Sequence, residues 1–173
     1  KLYIVDISDK SNPVVVKSIS AGRMGFSATQ VDENRNLLFA LEYRTALHVY
    51  DISDPANPVE IGTLGSDAMW TADDMKVVGN YAYFSAYYEG IRIVDVSDPT
   101  NMSLVAICYD GWRPGYVEDI VVKDGYAYEA CEPKGFAIFD VHDPKNPKWL
   151  NSTLTHGRFD AVYFDGKYAY VNA

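Results

Sequence analysis

The sequence predicts an all-β protein, a β-propeller built from four-stranded antiparallel blades, and three observations carry that prediction. A hydrophobic strand ending in Asp recurs at fixed spacing: Asp6, Asp51, Asp95 and Asp140 lie 45, 44 and 45 residues apart, a period that suits propeller blades and not helical repeats. No stretch carries apolar residues at spacings of 3, 4 and 7 over two or more turns, and the eight prolines sit mostly in one repeated turn. Helix content should therefore be very low. The strands are rich in aromatic and β-branched residues, as expected of strands packed on both faces. A lone four-stranded sheet cannot bury both faces, whereas stacked blades can.

Each unit reads as four short strands. The first is the run before a tight turn: Lys76-Val77-Val78, Ile120-Val121-Val122 and Ala161-Val162-Tyr163-Phe164. The turn itself is Asn34-Arg35-Asn36, Gly79-Asn80, Asp124-Gly125 or Asp165-Gly166, the chemistry a hairpin requires. The second strand follows as Tyr81-Ala82-Tyr83-Phe84, Tyr126-Ala127-Tyr128-Glu129 and Tyr168-Ala169-Tyr170-Val171, with a degenerate Leu37-Leu38-Phe39-Ala40 in the first unit. The third is the marker strand, as in Ile91-Arg92-Ile93-Val94-Asp95, which runs into Ser97-Asp98-Pro99. The fourth follows an Asn-Pro turn: Val14-Val15-Val16, Val59-Glu60-Ile61, Leu104-Val105-Ala106-Ile107 and Trp149-Leu150. The units fall near 2–46, 47–90, 91–135 and 136–173 and form one domain, 1–173.

The succession of Tyr-Ala-Tyr, Ile-Val-Asp-Val-Ser-Asp-Pro and Asn-Pro resembles the LVIVD-repeat family of β-propellers, over essentially the whole chain in four copies. Departures are local: Lys10 stands for the turn proline in the first copy, Met102 for the second proline in the third, and His142 for Ser in the fourth. The resemblance implies a propeller scaffold and an extracellular or cell-surface location, and it is poor for function. The chain opens at a third strand and closes just after a second strand. If its ends meet, the N-terminal strands complete the last blade of a closed four-bladed ring. The alternatives are part of a larger ring, or a half-ring that pairs with another chain.

A net charge of −9 and a pI near 4.7 leave no basic stripe for phosphates, so nucleic acid is not expected as a partner. No run of 18 apolar residues is present, so no membrane-spanning segment is expected. Cys108 and Cys131 approach one rim in the blade scheme, either as a disulfide or as two buried thiols. The sequons Asn101-Met102-Ser103 and Asn151-Ser152-Thr153 add slightly to an extracellular reading.

Loops from a fourth strand to the next first strand should gather on one face with the loops joining second and third strands. They hold Phe26, Trp70, Trp112, Tyr116 and Phe159 with Arg23, Arg113 and Arg158. Stacking rings beside guanidinium donors suit a sugar, a carboxylate or a peptide. The expected ligand-binding rim is therefore Arg23, Trp70, Trp112, Arg113, Tyr116 and Arg158, against the alternative that these side chains fill interblade space. Asp74, Asp119 and Asp160 recur near the start of the innermost strand, where three carboxylates could hold Ca²⁺ or Mg²⁺ in the channel. Equally, each could accept backbone N–H groups of the neighbouring strand. The aspartates of the marker turn read as turn formers.

His48, His142 and His156 occupy different repeat positions, and no hydrolase elbow, Walker loop, zinc motif or dinucleotide fingerprint is present. The expected function is thus a non-catalytic extracellular or cell-surface module that binds a protein, a glycan or copies of itself through its rim loops. The alternative is a divalent-metal-binding propeller with a channel site, with or without hydrolytic activity.

Overall fold

In the computed structural model of the chain, residues 1–69, 72–86, 89–109, 117–131, 135–153 and 161–172 are described, with the backbone alone at Ser66, Val117, Glu118 and Cys131. An N-terminal hairpin pairs β1 (Leu2–Asp6) with β2 (Val14–Ile19). Three four-stranded antiparallel meanders follow. The first comprises β3 (Phe26–Asp32), β4 (Leu37–Glu42), β5 (Ala46–Asp51) and β6 (Val59–Leu64). A short helix α1 (Ser66–Met69) leads into β7 (Ala72–Val78), β8 (Tyr81–Ala86), β9 (Gly90–Asp95) and β10 (Ser103–Cys108). The third holds β11 (Val117–Lys123), β12 (Tyr126–Cys131), β13 (Gly135–Asp140) and β14 (Lys148–Thr153). A C-terminal hairpin of β15 (Ala161–Phe164) and β16 (Ala169–Asn172) completes the described fold.

Strand order follows chain order in every sheet, and the first strands lie side by side, β3 against β7, β7 against β11 and β11 against β15. This is a β-propeller-like arrangement with the first strands innermost. Alternation along the strands builds its core. On β4, Phe39 and Leu41 face the next sheet and join Met69, Phe84 and Val94, while Leu38 and Ala40 face the N-terminal hairpin and pack with Leu2 and Ile19. Every position of β4 is buried. The same alternation places Ile93, Ile120 and Phe139 between the second and third sheets, and Tyr128 and Val162 between the third sheet and the C-terminal hairpin.

The marker turn repeats its hydrogen bonds. Ser8, Ser53, Ser97 and His142 donate their backbone N–H to the carboxylates of Asp6, Asp51, Asp95 and Asp140 at 2.8–3.0 Å. Asp9, Asp54, Asp98 and Asp143 accept from the residue two further on, at 2.9–3.1 Å. The turn-forming role expected of these aspartates is the one they perform. Gly62 of β6 lies so close to the neighbouring turn that an added Cβ would sit 1.8 Å from the Pro99 carbonyl oxygen.

The terminal hairpins are separate two-stranded sheets, and among the described residues no ladder joins β16 to β1. The fold thus presents three whole blades flanked by two halves.

Candidate functional site

Two regions gather polar side chains outside the marker turns. The first lies along the innermost strands. Three of these strands have a bulge near the start, between Phe26 and Ala28 in β3, Ala72 and Met75 in β7, and Val117 and Asp119 in β11. A bulge re-aims the side chains beside it. Here Asp74 accepts from the Ile120 N–H of the next sheet at 3.4 Å, and Asp119 accepts from the Val162 N–H at 2.9 Å. In the first sheet the equivalent position is Ala28, and Gln30 two residues on takes the task. Its amide accepts from the Val77 N–H at 2.7 Å and donates to the Val77 carbonyl at 2.8 Å.

Lys76 sits between the two carboxylates, 3.3 Å from Asp74 and 3.8 Å from Asp119. Burial pushes the Asp74 carboxyl above its usual range, Lys76 opposes that and Asp119 adds to it. The register of the last hairpin gives the repeat position of Asp119 to Ala161: Ala161 faces Asn172, the fourth residue of β16 counted from Ala169, as Asp119 faces Ala130, the fifth from Tyr126 in a strand that begins one residue earlier in the repeat. Asp160 itself lies outside the described residues. Among the described residues no cluster of three metal-ligating side chains occurs.

The second region is the rim. The Tyr43 N–H donates to the Gly25 carbonyl at 2.9 Å, which ties the β4–β5 turn to the loop before β3 and places both on one face, as expected. Arg23 and Met24 of that loop are exposed. Arg44, in the left-handed region at φ +53, lies over the Tyr43 ring at 4.7 Å and forks onto Asp73 at 3.0 and 3.1 Å. That bidentate pair connects two adjacent blades. Arg92, buried within β9, donates to the Ala68 carbonyl of α1 at 2.5 Å and pairs with Glu89. Arg44, Asp73, Glu89 and Arg92 were not among the residues singled out from sequence. For Arg92 the signal was present, a charge between Ile91 and Ile93 in an otherwise apolar strand.

Beside this rim His48 of β5 bridges two neighbouring strands. Its Nδ1 is 2.8 Å from Glu60 of β6 and its Nε2 is 3.3 Å from Glu42 of β4, with Phe26 edge-on at 6.0 Å. The His48 contact, and then the Thr63 hydroxyl, hold the Glu60 carboxyl below its usual range. Glu42 is buried against Gly22, where an added Cβ would lie 2.3 Å from its Oε1. His142 contacts its own turn aspartate, Asp140 at 2.8 Å, and the Tyr126 ring, and its imidazole lies over Gly125.

Of the expected rim residues, Arg23 is described and exposed, whereas Trp70, Trp112, Arg113, Tyr116 and Arg158 lie outside the described residues. Cys108 is buried and its thiol approaches the Pro147 carbonyl at 3.6 Å, while the side chain of Cys131 lies outside the described set. No described helix is long and apolar enough to cross a membrane.

No curated protein matches the chain. Among solved structures, a functionally unknown protein from Desulfotomaculum acetoxidans is similar at a TM-score of 0.74 and 14% identity, over 97% of this chain and 54% of its own. A protein from Lactobacillus plantarum is similar at 0.78 and 15%, over 95% of this chain and 54% of its own. The computationally designed Ika4 protein is similar at 0.69 and 9%, over 90% of this chain and 89% of its own. The chain therefore spans about half the length of the two natural structures, and these likenesses concern the fold. The LVIVD repeat model matches residues 1–20, 44–65, 71–110 and 114–155, each segment containing one marker strand, its turn and the fourth strand that follows. With that match over most of its length, and with its repeats folded as successive β-propeller-like blades, the chain belongs to the LVIVD repeat family.

Proposed function

We propose that the chain is a non-catalytic binding module whose rim docks a protein or glycan partner outside the cell or at its surface. The observation that carries this reading is the division of labour among its polar groups. The aspartates of the marker turns are taken up by backbone N–H groups, and Asp74 and Asp119 by neighbouring strands. The rim instead offers exposed Arg23 and Met24 beside the Tyr43–Arg44 stack that Asp73 holds in place. A rigid aromatic with a fixed guanidinium next to a free one suits a carboxylate-bearing peptide or a sugar. Trp112 and Arg113 belong to the longest loop of the same sequence class and are the residues this reading assigns to partner contact.

The test is Trp112→Ala with Arg113→Ala, read by melting temperature and by binding to a glycan array and to a panel of surface-protein ectodomains. The proposal expects an unchanged melt and loss of every signal that the parent chain gives. A collapsed melt makes these residues interblade packing, and unchanged binding moves the contact elsewhere.

A further inference from the structure

The third marker turn departs from the other three at two adjacent residues, and both departures bear on one side chain. Asn12, Asn57 and Asn146 precede Pro13, Pro58 and Pro147, whereas Asn101 precedes Met102 and Ser103. An acceptor for N-linked sugar needs Ser or Thr two residues after the asparagine and tolerates no proline between them. This turn alone of the four supplies one. Its backbone keeps the common form, since each asparagine donates its N–H to the carbonyl of the turn aspartate three residues earlier at 2.9–3.1 Å. Met102 stands at φ −66, a value proline itself adopts, and packs on the core between the first two whole blades.

The same turn releases the asparagine amide. Asn57 and Asn146 donate their side-chain Nδ2 to Asp54 and Asp143 at 2.9 and 2.8 Å. In the third turn the Thr100 hydroxyl and N–H both donate to Asp98 Oδ1, at 2.7 and 2.9 Å. The Asn101 side chain has no hydrogen-bond partner among the described residues, and both Asn101 and Ser103 are exposed. A substituent on Asn57 or Asn146 Nδ2 would crowd a bond that closes the turn, whereas one on Asn101 breaks nothing. The second sequon is held differently. Asn151 lies inside β14 opposite Ile138, and its Oδ1 accepts from the Ser152 N–H at 2.8 Å.

We propose that Asn101 is an attachment site for an N-linked glycan, an inference that rests on the extracellular part of the function proposed above and not on its rim. In the transfer, Nδ2 forms a bond to C1 of the first sugar of a polyprenyl-pyrophosphate-linked oligosaccharide. The bond from C1 to the pyrophosphate oxygen breaks, the carrier leaves with that electron pair, and a base of the transferase takes one amide proton. The oligosaccharide shields the face of the marker turns and leaves the opposite rim open.

The experiment presents the folded 173-residue chain, and separately a peptide spanning each sequon, to an oligosaccharyltransferase that takes Asn-x-Ser/Thr acceptors, with its lipid-linked oligosaccharide. Mass spectrometry of the glycopeptides reads occupancy. Both peptides should be modified, and the folded chain should carry several-fold more sugar at Asn101 than at Asn151. Ser103→Ala and Met102→Pro should each abolish the Asn101 product, and Ser103→Thr should retain it. A folded chain bare at Asn101 whose peptide is modified overturns the proposal. So does an Asn101 peptide that is no acceptor, or a folded chain modified as fully at Asn151. Asn101 modified in this assay yet bare in protein from the source cells would sustain the site and overturn the extracellular reading.

Discussion

Asp119 distinguishes a carboxylate that braces two strands from one that holds a cation. Its Oδ2 accepts from the buried Val162 N–H at 2.9 Å and its other oxygen lies 3.8 Å from Lys76. Asp119→Ala leaves that N–H without its acceptor inside the interblade layer, which costs about 1–3 kcal/mol. The long contact to a partly exposed Lys76 adds about 0–1 kcal/mol. Asp119→Asn keeps a carbonyl oxygen for Val162 and removes a charge that Asp74 repels, so its cost should stay under about 1 kcal/mol. Urea unfolding followed by circular dichroism measures the global term. Hydrogen exchange at the Val162 amide reads the local one, needed because end units of a repeat array can open separately. The bracing account expects Ala to be clearly worse than Asn, and faster exchange at Val162 in the Ala variant alone. An Asn variant as damaged as the Ala variant refutes it. A melting temperature raised by Ca²⁺ and lowered by chelator, with both responses lost in either variant, would assign Asp119 to a cation instead.

Four further outcomes follow from the packing and the turns. The carboxyls of Asp6, Asp51, Asp95 and Asp140 are held below the ordinary 3.8 by backbone and side-chain hydrogen bonds, so the stability they contribute is present above that pH and lost as pH falls below it. The melting temperature should therefore drop below about pH 4, and Asp51→Asn, which has no carboxylate to lose, should shallow that drop by lowering the neutral value towards the acid one. Asp74 has the opposite sign, since its raised folded value favours the protonated form, and Asp74→Asn should stabilise the protein more at pH 7 than at pH 3. Gly62→Ala drives a Cβ into the Pro99 carbonyl, and a backbone shift costing about 1–3 kcal/mol should appear as a lower urea midpoint. Phe84→Ala removes a fully buried ring from the layer between the first two whole blades and should cost about 3–5 kcal/mol by the same assay.

The scaffold was legible because period and alternation act on every unit at once. Tyr81-Ala82-Tyr83-Phe84 reads as a strand packed on two faces, and the structure buries Ala82 and Phe84 in one layer and Tyr83 in the next. The marker aspartates were legible because an Asx turn is local, needing only the residue two positions on. The axial braces were half legible. Spacing grouped Asp74, Asp119 and Asp160, yet Asp74 and Asp119 stand seven residues before Tyr81 and Tyr126 whereas seven before Tyr168 is Ala161, which the hairpin register aligns with them. The Arg44–Asp73 fork and the Arg92 contact with α1 were not legible, because both depend on how one blade seats against the next or on a four-residue helix without periodicity.

Comparing the units with one another also locates where this scaffold can carry specificity. The face of the marker turns repeats one chemistry: Asp6-Ile7-Ser8-Asp9, Asp51-Ile52-Ser53-Asp54 and Asp95-Val96-Ser97-Asp98 close on themselves with the same bonds. A surface made of identical self-satisfied turns has little left to distinguish partners. On the other face the links between second and third strands read Tyr43-Arg44-Thr45, Tyr87-Tyr88-Glu89 and Glu132-Pro133-Lys134, and the links between blades differ as much. Packing does not require that divergence, since the strands on either side keep one register throughout. A fold can host many functions through loops set on an unchanging frame. In this chain the frame is the repeat and the variable set is the rim, so exchanging the Tyr43–Thr45 turn for the Glu132–Lys134 sequence should alter recognition while the β-sheet spectrum stays the same. A loss of sheet structure on that exchange would mean that the Arg44–Asp73 fork belongs to the frame.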